Sequence, residues 1–240
     1  MCGRFTQQPP TSELAEIFGA EDLVDAPGGL FNVAPTDEAA VVVQREGRRA
    51  VTAFRWGLIP HWADDPKIGS RMFNARAETV ATAPSFRDSF RTRRCLVPVD
   101  SFYEWRPEGK AKRPFSIGRP DGLPLALGGL WSGWKDRETG EIRRTFTIIT
   151  TAPNEFMRTI HDRMPVIIPE AAWGLWLDRE SPDLGELRAL LAPAPDGLLS
   201  AYPVSRLVND VRNDGPALVT PLGPDEAPTE VSAAVTDQGG

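Results

Sequence analysis

Cysteine is nearly absent: Cys2 and Cys95 are the only two in 240 residues. Two thiols build no disulfide framework, and they form no CxxC pair. Histidine is as scarce, with only His61 and His161, so the chain holds no HExxH or related zinc spacing. It also lacks GxxxxGK[ST] and a strand leading into GxGxxG, the backbone cradles for nucleotide phosphates. Neither a metal nor a cofactor is therefore expected. No stretch approaches the roughly 18 apolar residues of a membrane helix. The first residues lack the apolar core of a signal peptide, so a cytoplasmic protein is expected.

What is present is an ordinary globular composition, 41% hydrophobic and 25% charged, in a chain long enough to bury a substantial core. The net charge of −6 is unevenly spread. Residues 66–119 hold twelve Lys/Arg against five Asp/Glu, so a basic middle sits in an acidic remainder. Such a stretch steers a phosphate backbone or forms a solvated arginine-rich face, and charge alone does not separate the two.

Many short β-branched runs alternate with a few short helices. Thr11–Phe18 reads as a helix capped by Thr11 or Ser12 and stopped at Gly19. Ala39–Gln44 and Ala50–Arg55 flank Arg45-Glu46-Gly47-Arg48 as a hairpin. A helix is expected near Pro84–Phe90. Cys95–Trp105 reads as a strand with a bulge or edge at Pro98. Phe115–Ile117, Leu125–Leu130 and Thr145–Thr150 are further strands, and Tyr202–Ser205 is a late one. Asn154–Ile160, Pro169–Leu177 and Pro182–Leu191 read as helices. From about Pro221 the composition is that of a disordered tail. The pattern predicts one α+β domain: a curved, barrel-like, mainly antiparallel sheet with several short helices.

Four stretches carry chemistry. Removal of Met1 would leave Cys2 with an α-amine and a thiol on adjacent carbons, a bidentate nucleophile for an aldehyde; otherwise Cys2 is an ordinary residue near a frayed end. Trp56-Gly57-Leu58-Ile59-Pro60-His61-Trp62 cannot be a regular helix; its aromatics close a core or stack on bases, and Trp62 is the more exposed candidate. Glu104, between Tyr103 and Trp105 on an apolar strand, is either a desolvated proton carrier or a salt-bridge partner of nearby arginines. His161 follows a helix end beside Asp162 and Arg163, in a structural role or at a reacting centre.

Taken in order, Met-Cys-Gly-Arg-Phe, Arg55–Pro60, Phe73–Thr79, Phe102–Trp105, Ile148–Thr151, His161–Pro165, Pro203–Ser205 and Asn213-Asp214 closely resemble the SRAP (SOS response-associated peptidase) family over about residues 2–220, leaving 221–240 as the tail. Ser101 stands where many relatives have glycine. The resemblance implies an abasic-site processing protein that binds single-stranded DNA; a monomer is expected because DNA must reach the terminus unobstructed, nucleoid-associated when bound to DNA. It implies that Cys2 forms a thiazolidine with the ring-opened abasic sugar. It also implies that Asn74 positions the terminus and sugar, Glu104 shuttles protons, and His161 helps open the sugar ring and stabilise or reverse the link. Arg4, Arg76 and Arg163 would hold phosphates, Thr150 would add a hydrogen bond, and Trp62 would stack on a base. Removal of Met1 by the same site would account for the word peptidase. Non-covalent strand binding and peptidase action on proteins are the competing readings.

Overall fold

Thirteen strands and five short helices make up the fold in the computed structural model, which describes residues 2–180 and 183–223. In chain order the strands are β1 (Phe5–Gln7), β2 (Glu21–Asp22), β3 (Leu30–Val33), β4 (Glu38–Arg45), β5 (Arg48–Trp56), β6 (Asn74–Arg76), β7 (Arg94–Val99), β8 (Ser101–Glu108), β9 (Ala111–Gly118), β10 (Leu125–Lys135), β11 (Ile142–Thr151), β12 (Met164–Pro165) and β13 (Ser200–Pro203). The helices are α1 (Thr11–Phe18), α2 (Arg87–Thr92), α3 (Glu155–Arg158), α4 (Trp173–Leu177) and α5 (Leu184–Ala189).

Two sheets enclose the main core. One runs β13-β9-β8-β1-β3; the other runs β12-β11-β10-β7-β4-β5-β2, with β6 added beside β11. Phe5, Phe102, Phe115 and Ile117 of the first meet Val41, Trp56, Val97, Leu127 and Phe146 of the second. A single stretch joins the sheets: β7 belongs to one, β8 to the other, and only Asp100 separates them. The expected α+β, barrel-like architecture is therefore present. The bulge or edge expected at Pro98 is absent: β7 lies between β10 and β4, Pro98 pairs in register with Ala126, and the chain turns two residues later. Asp100 marks that turn, its carboxylate accepting the Gln8 backbone N–H at 2.6 Å.

The hairpin is as expected. Glu46 and Gly47 both have positive φ, +49° and +79°, the two-residue turn whose twist matches its flanking strands. α1 ends at left-handed Gly19 as expected, but neither Thr11 nor Ser12 caps it; Pro10 holds the cap position without a side-chain bond. Thr11 Oγ1 instead donates to Asp22 and accepts from Ala26 N. The helix expected near Pro84–Phe90 begins later, at Arg87, and Pro169–Leu177 is a 3₁₀ turn (Glu170–Ala172) followed by α4. The expected start of the next helix at Pro182, and the tail from 224 onward, lie outside the described residues.

One close approach positions the site. Gly57 has φ +116°, and a Cβ there would stand 2.6 Å from Gly69 O. Next to it, Trp56 Nε1 donates to Phe73 O at 2.8 Å, while Gly57 N donates to Phe146 O at 2.8 Å. These contacts lay β6 parallel to β11, with Asn74 opposite Ile148 and Arg76 opposite Thr150. Gly57→Ala is therefore expected to combine a strained backbone with a steric clash. It should cost about 2–3 kcal/mol in urea unfolding. Gly140→Ala, at φ +75° with open space around it, should cost about 1 kcal/mol from its backbone alone.

Candidate active site

The residues predicted for catalysis come from four separate stretches and meet at one cleft. Cys2 is fully buried, just before β1. Asn74 opens β6, and its Nδ2 donates to the Cys2 carbonyl at 2.8 Å. The Asn74 Oδ1 is buried with no hydrogen-bond partner among the described residues. That amide therefore grips the Cys2 backbone and keeps an acceptor for one more donor.

Glu104 reaches the cleft from β8, on the core-facing side with Phe102 and cross-strand Phe115. Only 2% of it is exposed, and burial pushes its carboxyl up to about 7. Its Oε2 lies 3.7 Å from His161 Nε2. His161 follows α3, whose first turn is capped by Asn154 Oδ1 accepting from Met157 N. The ring Nδ1 accepts the Arg163 backbone N–H at 3.0 Å, and the Asp162 carboxylate lies 2.9 Å from the same nitrogen. These contacts ask opposite things of Nδ1. The backbone N–H is fixed in place while Asp162 is 88% exposed, so the backbone contact sets the tautomer. Nε2 then carries the proton and faces Glu104. Burial also lowers the His161 pKa, which favours the neutral ring.

Burial pushes the Cys2 thiol up, and the nearby Glu104 charge pushes it further. The thiol is thus held protonated. A thiolate–imidazolium couple, which needs a depressed cysteine and a raised histidine, is disfavoured here. Cys95 is buried in the same core and is likewise pushed up, by burial alone.

The remaining predicted contacts are placed unevenly. Arg76 is exposed on β6. Arg163 holds Glu78 through both carboxylate oxygens, at 2.5 and 3.0 Å, and donates to Thr150 O at 2.6 Å. Thr150 is buried, with its hydroxyl 3.5 Å from Ala75 O. Arg4 donates to Asn32 Oδ1 at 2.7 Å and to the carbonyls of Val208 at 2.6 Å and Asn209 at 3.3 Å. Its guanidinium ties the start of the chain to a strap, residues 204–220, that runs along the outer face of β8. Trp62 is 46% exposed but does not line the cleft; Trp134 Nε1 anchors its loop by donating to Ala63 O.

The cleft is a cavity of about 640 Å³ lined by Gly3, Phe73, Glu104, Trp105, Lys112, His161, Arg206 and Asn209. Sequence reasoning gave no role to the last members. Trp105 Nε1 donates to Asn209 Oδ1 at 2.7 Å, which binds the strap to the cleft wall. Asn32 was missed as well: its Nδ2 donates to Asp210 O at 3.1 Å and to Asn213 O at 2.8 Å, fixing the strap beside Arg4. The only signal was the pair of short motifs, Pro203-Val204-Ser205 at the start of this strap and Asn213-Asp214 within it. Among the described residues, no cluster of potential metal ligands forms, and no helix is long and apolar enough to cross a membrane.

The chain matches known proteins over nearly its whole length. The abasic site processing protein YoqW of Bacillus subtilis is 41% identical over 91% of this chain and 99% of its own. The abasic site processing protein YedK of Escherichia coli is 32% identical over 92% and 100%. A crystal structure of a protein from Bacteroides thetaiotaomicron superposes with a TM-score of 0.83 at 28% identity, covering 92% of this chain and all of that one. The family profile described as SOS response associated peptidase (SRAP) matches residues 1–211, and this chain belongs to that family.

Proposed function

We propose that this protein processes abasic sites in single-stranded DNA by covalent capture through Cys2 once Met1 has been removed. The observation that carries the reading is the Asn74 amide gripping the Cys2 carbonyl beside a buried Glu104 and a neutral His161. Its relatives' names as abasic site processing proteins add support.

Because the thiol is protonated, the α-amine attacks first. It adds to the aldehyde carbon of the ring-opened sugar, giving a carbinolamine. Glu104, near half-ionised at neutral pH, can protonate the departing hydroxyl, so water leaves and an imine forms. The Cys2 sulfur then adds to the imine carbon and closes the five-membered ring. The thiol proton returns to the Glu104 carboxylate, so Glu104 ends protonated as it began, and the ring nitrogen keeps the proton it carried in the protonated imine. Nε2–H of His161 is set to donate to the sugar ring oxygen as the hemiacetal opens. Asn74 Oδ1 accepts from the amine or a sugar hydroxyl. The site thus performs a condensation rather than an acyl transfer, which accords with a high thiol pKa and a low histidine pKa.

The test compares three single strands, and the outcome is read on denaturing gels and by intact mass. A strand with a true abasic site should yield an adduct that survives denaturation. A tetrahydrofuran analogue, which has no aldehyde, and an intact strand should yield none. The reacting protein should have lost Met1. Adduct formation with the tetrahydrofuran strand, or by a protein that keeps Met1, would sink the mechanism. Turnover of peptides without DNA would point instead to a peptidase.

A further inference from the structure

We infer that Lys112 and Arg206 form a second phosphate-binding subsite at the mouth of the cleft, separate from Arg76 and Arg163. The inference rests on the DNA-binding reading above and adds to it where the strand leaves the reactive centre.

The subsite is assembled by two elements. In the β8–β9 hairpin, Trp105 faces Pro114 and Pro107 faces Lys112. Cross-strand partners share a face, so Trp105 and Lys112 project on the same side, opposite to Glu104. That side is covered by the strap, where Tyr103 and Trp105 pack with Val204, Val208 and Leu218. The 3₁₀ turn Arg206–Asn209 therefore lies against the hairpin, and its Arg206 joins Lys112 in lining the cleft that holds Glu104 and His161. Lys112 is close enough that its charge lowers the His161 pKa.

Among the described residues, cations outnumber acids here, with the Glu108 carboxylate felt by Arg106, Arg113 and Arg206 together. Glu108 is shared by Arg106 at 2.7 Å and Arg113 at 3.7 Å, and Asp210 is taken by Arg212 at 2.6 Å. Lys112 is exposed and makes no ion pair among the described residues. A cation on a flexible stem, next to a half-buried arginine and above a cleft, suits a mobile phosphodiester. Arg76 and Arg163, by contrast, come from β6 and the loop before β12. A strand whose abasic sugar sits at Cys2 thus has cations for its backbone on two different margins.

The test is binding of an intact single-stranded oligonucleotide across a salt series, measured by fluorescence anisotropy. Lys112→Ala/Arg206→Ala should weaken binding about tenfold at low salt. The slope of log affinity against log salt should become shallower by about 1.4, since each lost single-strand phosphate contact removes about 0.7. Lys112→Glu alone, at an exposed position that does not threaten folding, should weaken it further, whereas Lys112→Arg should keep the wild-type slope. Unchanged affinity and slope in the double variant and in Lys112→Glu would overturn the subsite while leaving covalent capture standing. Absence of any strand binding by the unaltered protein would overturn both.

Discussion

Cys2→Ala is expected to eliminate the denaturation-stable adduct with an abasic single strand, reducing its formation by a factor on the order of 10³ or more, the scale of nucleophile removal. The loss should be chemical rather than structural. Cys2 is buried in the core, but trading a thiol for a hydrogen removes one heavy atom, which costs about 1 kcal/mol. Thermal unfolding should confirm a folded variant. The α-amine survives in Cys2→Ala, so an imine should still form and hydrolyse. Borohydride added during incubation should trap it as a secondary amine, whereas the unreduced sample should show free strand. Cys2→Ser should behave in the same way, because an alcohol is a far weaker partner for ring closure than sulfur. A stable unreduced adduct in either variant would show that the sulfur does not close the ring. Failure of borohydride to trap either variant would remove the amine from the first step.

Glu104→Gln should make the protein more stable and less active at once. The carboxyl is raised by burial to about 7, against an ordinary 4.5, so the folded state binds a proton more tightly than the unfolded chain does. The sign follows directly. Below the unfolded value both states are protonated and the residue costs nothing by ionising. As pH rises through 4.5 toward 7 the unfolded chain ionises while the folded one resists, and stability falls. Above 7 the folded state carries a buried carboxylate, and the accumulated cost is on the order of 3 kcal/mol. Glutamine keeps the shape and never ionises. Its melting temperature should therefore match the wild type near pH 4 and exceed it by several degrees at pH 8. Adduct formation should meanwhile fall by about 10² to 10⁴, the range for a lost general acid–base. The wild-type rate should show a pH limb near 7 that the variant lacks. Equal destabilisation at all pH values would mean that Glu104 is merely a packing residue.

Local signals carried much of this fold, and long-range pairings carried the rest. Gly19 and the Glu46-Gly47 turn announce themselves because positive φ is a property of a single residue. The β4–β5 hairpin is legible for the same reason. β3, β12 and the parallel pairing of β6 with β11 are not, because strands of two to four residues acquire their identity from partners elsewhere in the chain, for β6 about seventy residues away. Helix caps failed where Thr11 turned to Asp22 and Ala26, a tertiary choice that overrides the local one. At the site, Cys2, Glu104 and His161 are legible from their local chemistry and Asn74 only through the family motif, and the structure brings them together. Arg4 was expected to face a phosphate; three of its donors go instead to Asn32 and the strap carbonyls. Nothing around Arg4 in the sequence signals Val208, which lies 204 positions away.

That tether has a consequence for the protein's birth. A ribosome emits the Cys2 end about two hundred residues ahead of Val208. Until the strap is made, the nascent chain therefore exposes its Cys2 end without the wall that Asn209 and Trp105 complete. The first few residues must wait for residues 204–220 to be made before β1 is locked between β3, β8 and the strap. Closing so long a loop costs little more entropy than closing one a quarter as long, since the cost grows only with the logarithm of length. The delay is thus one of order rather than of energy, and the complete cleft wall appears only after the strap has been made.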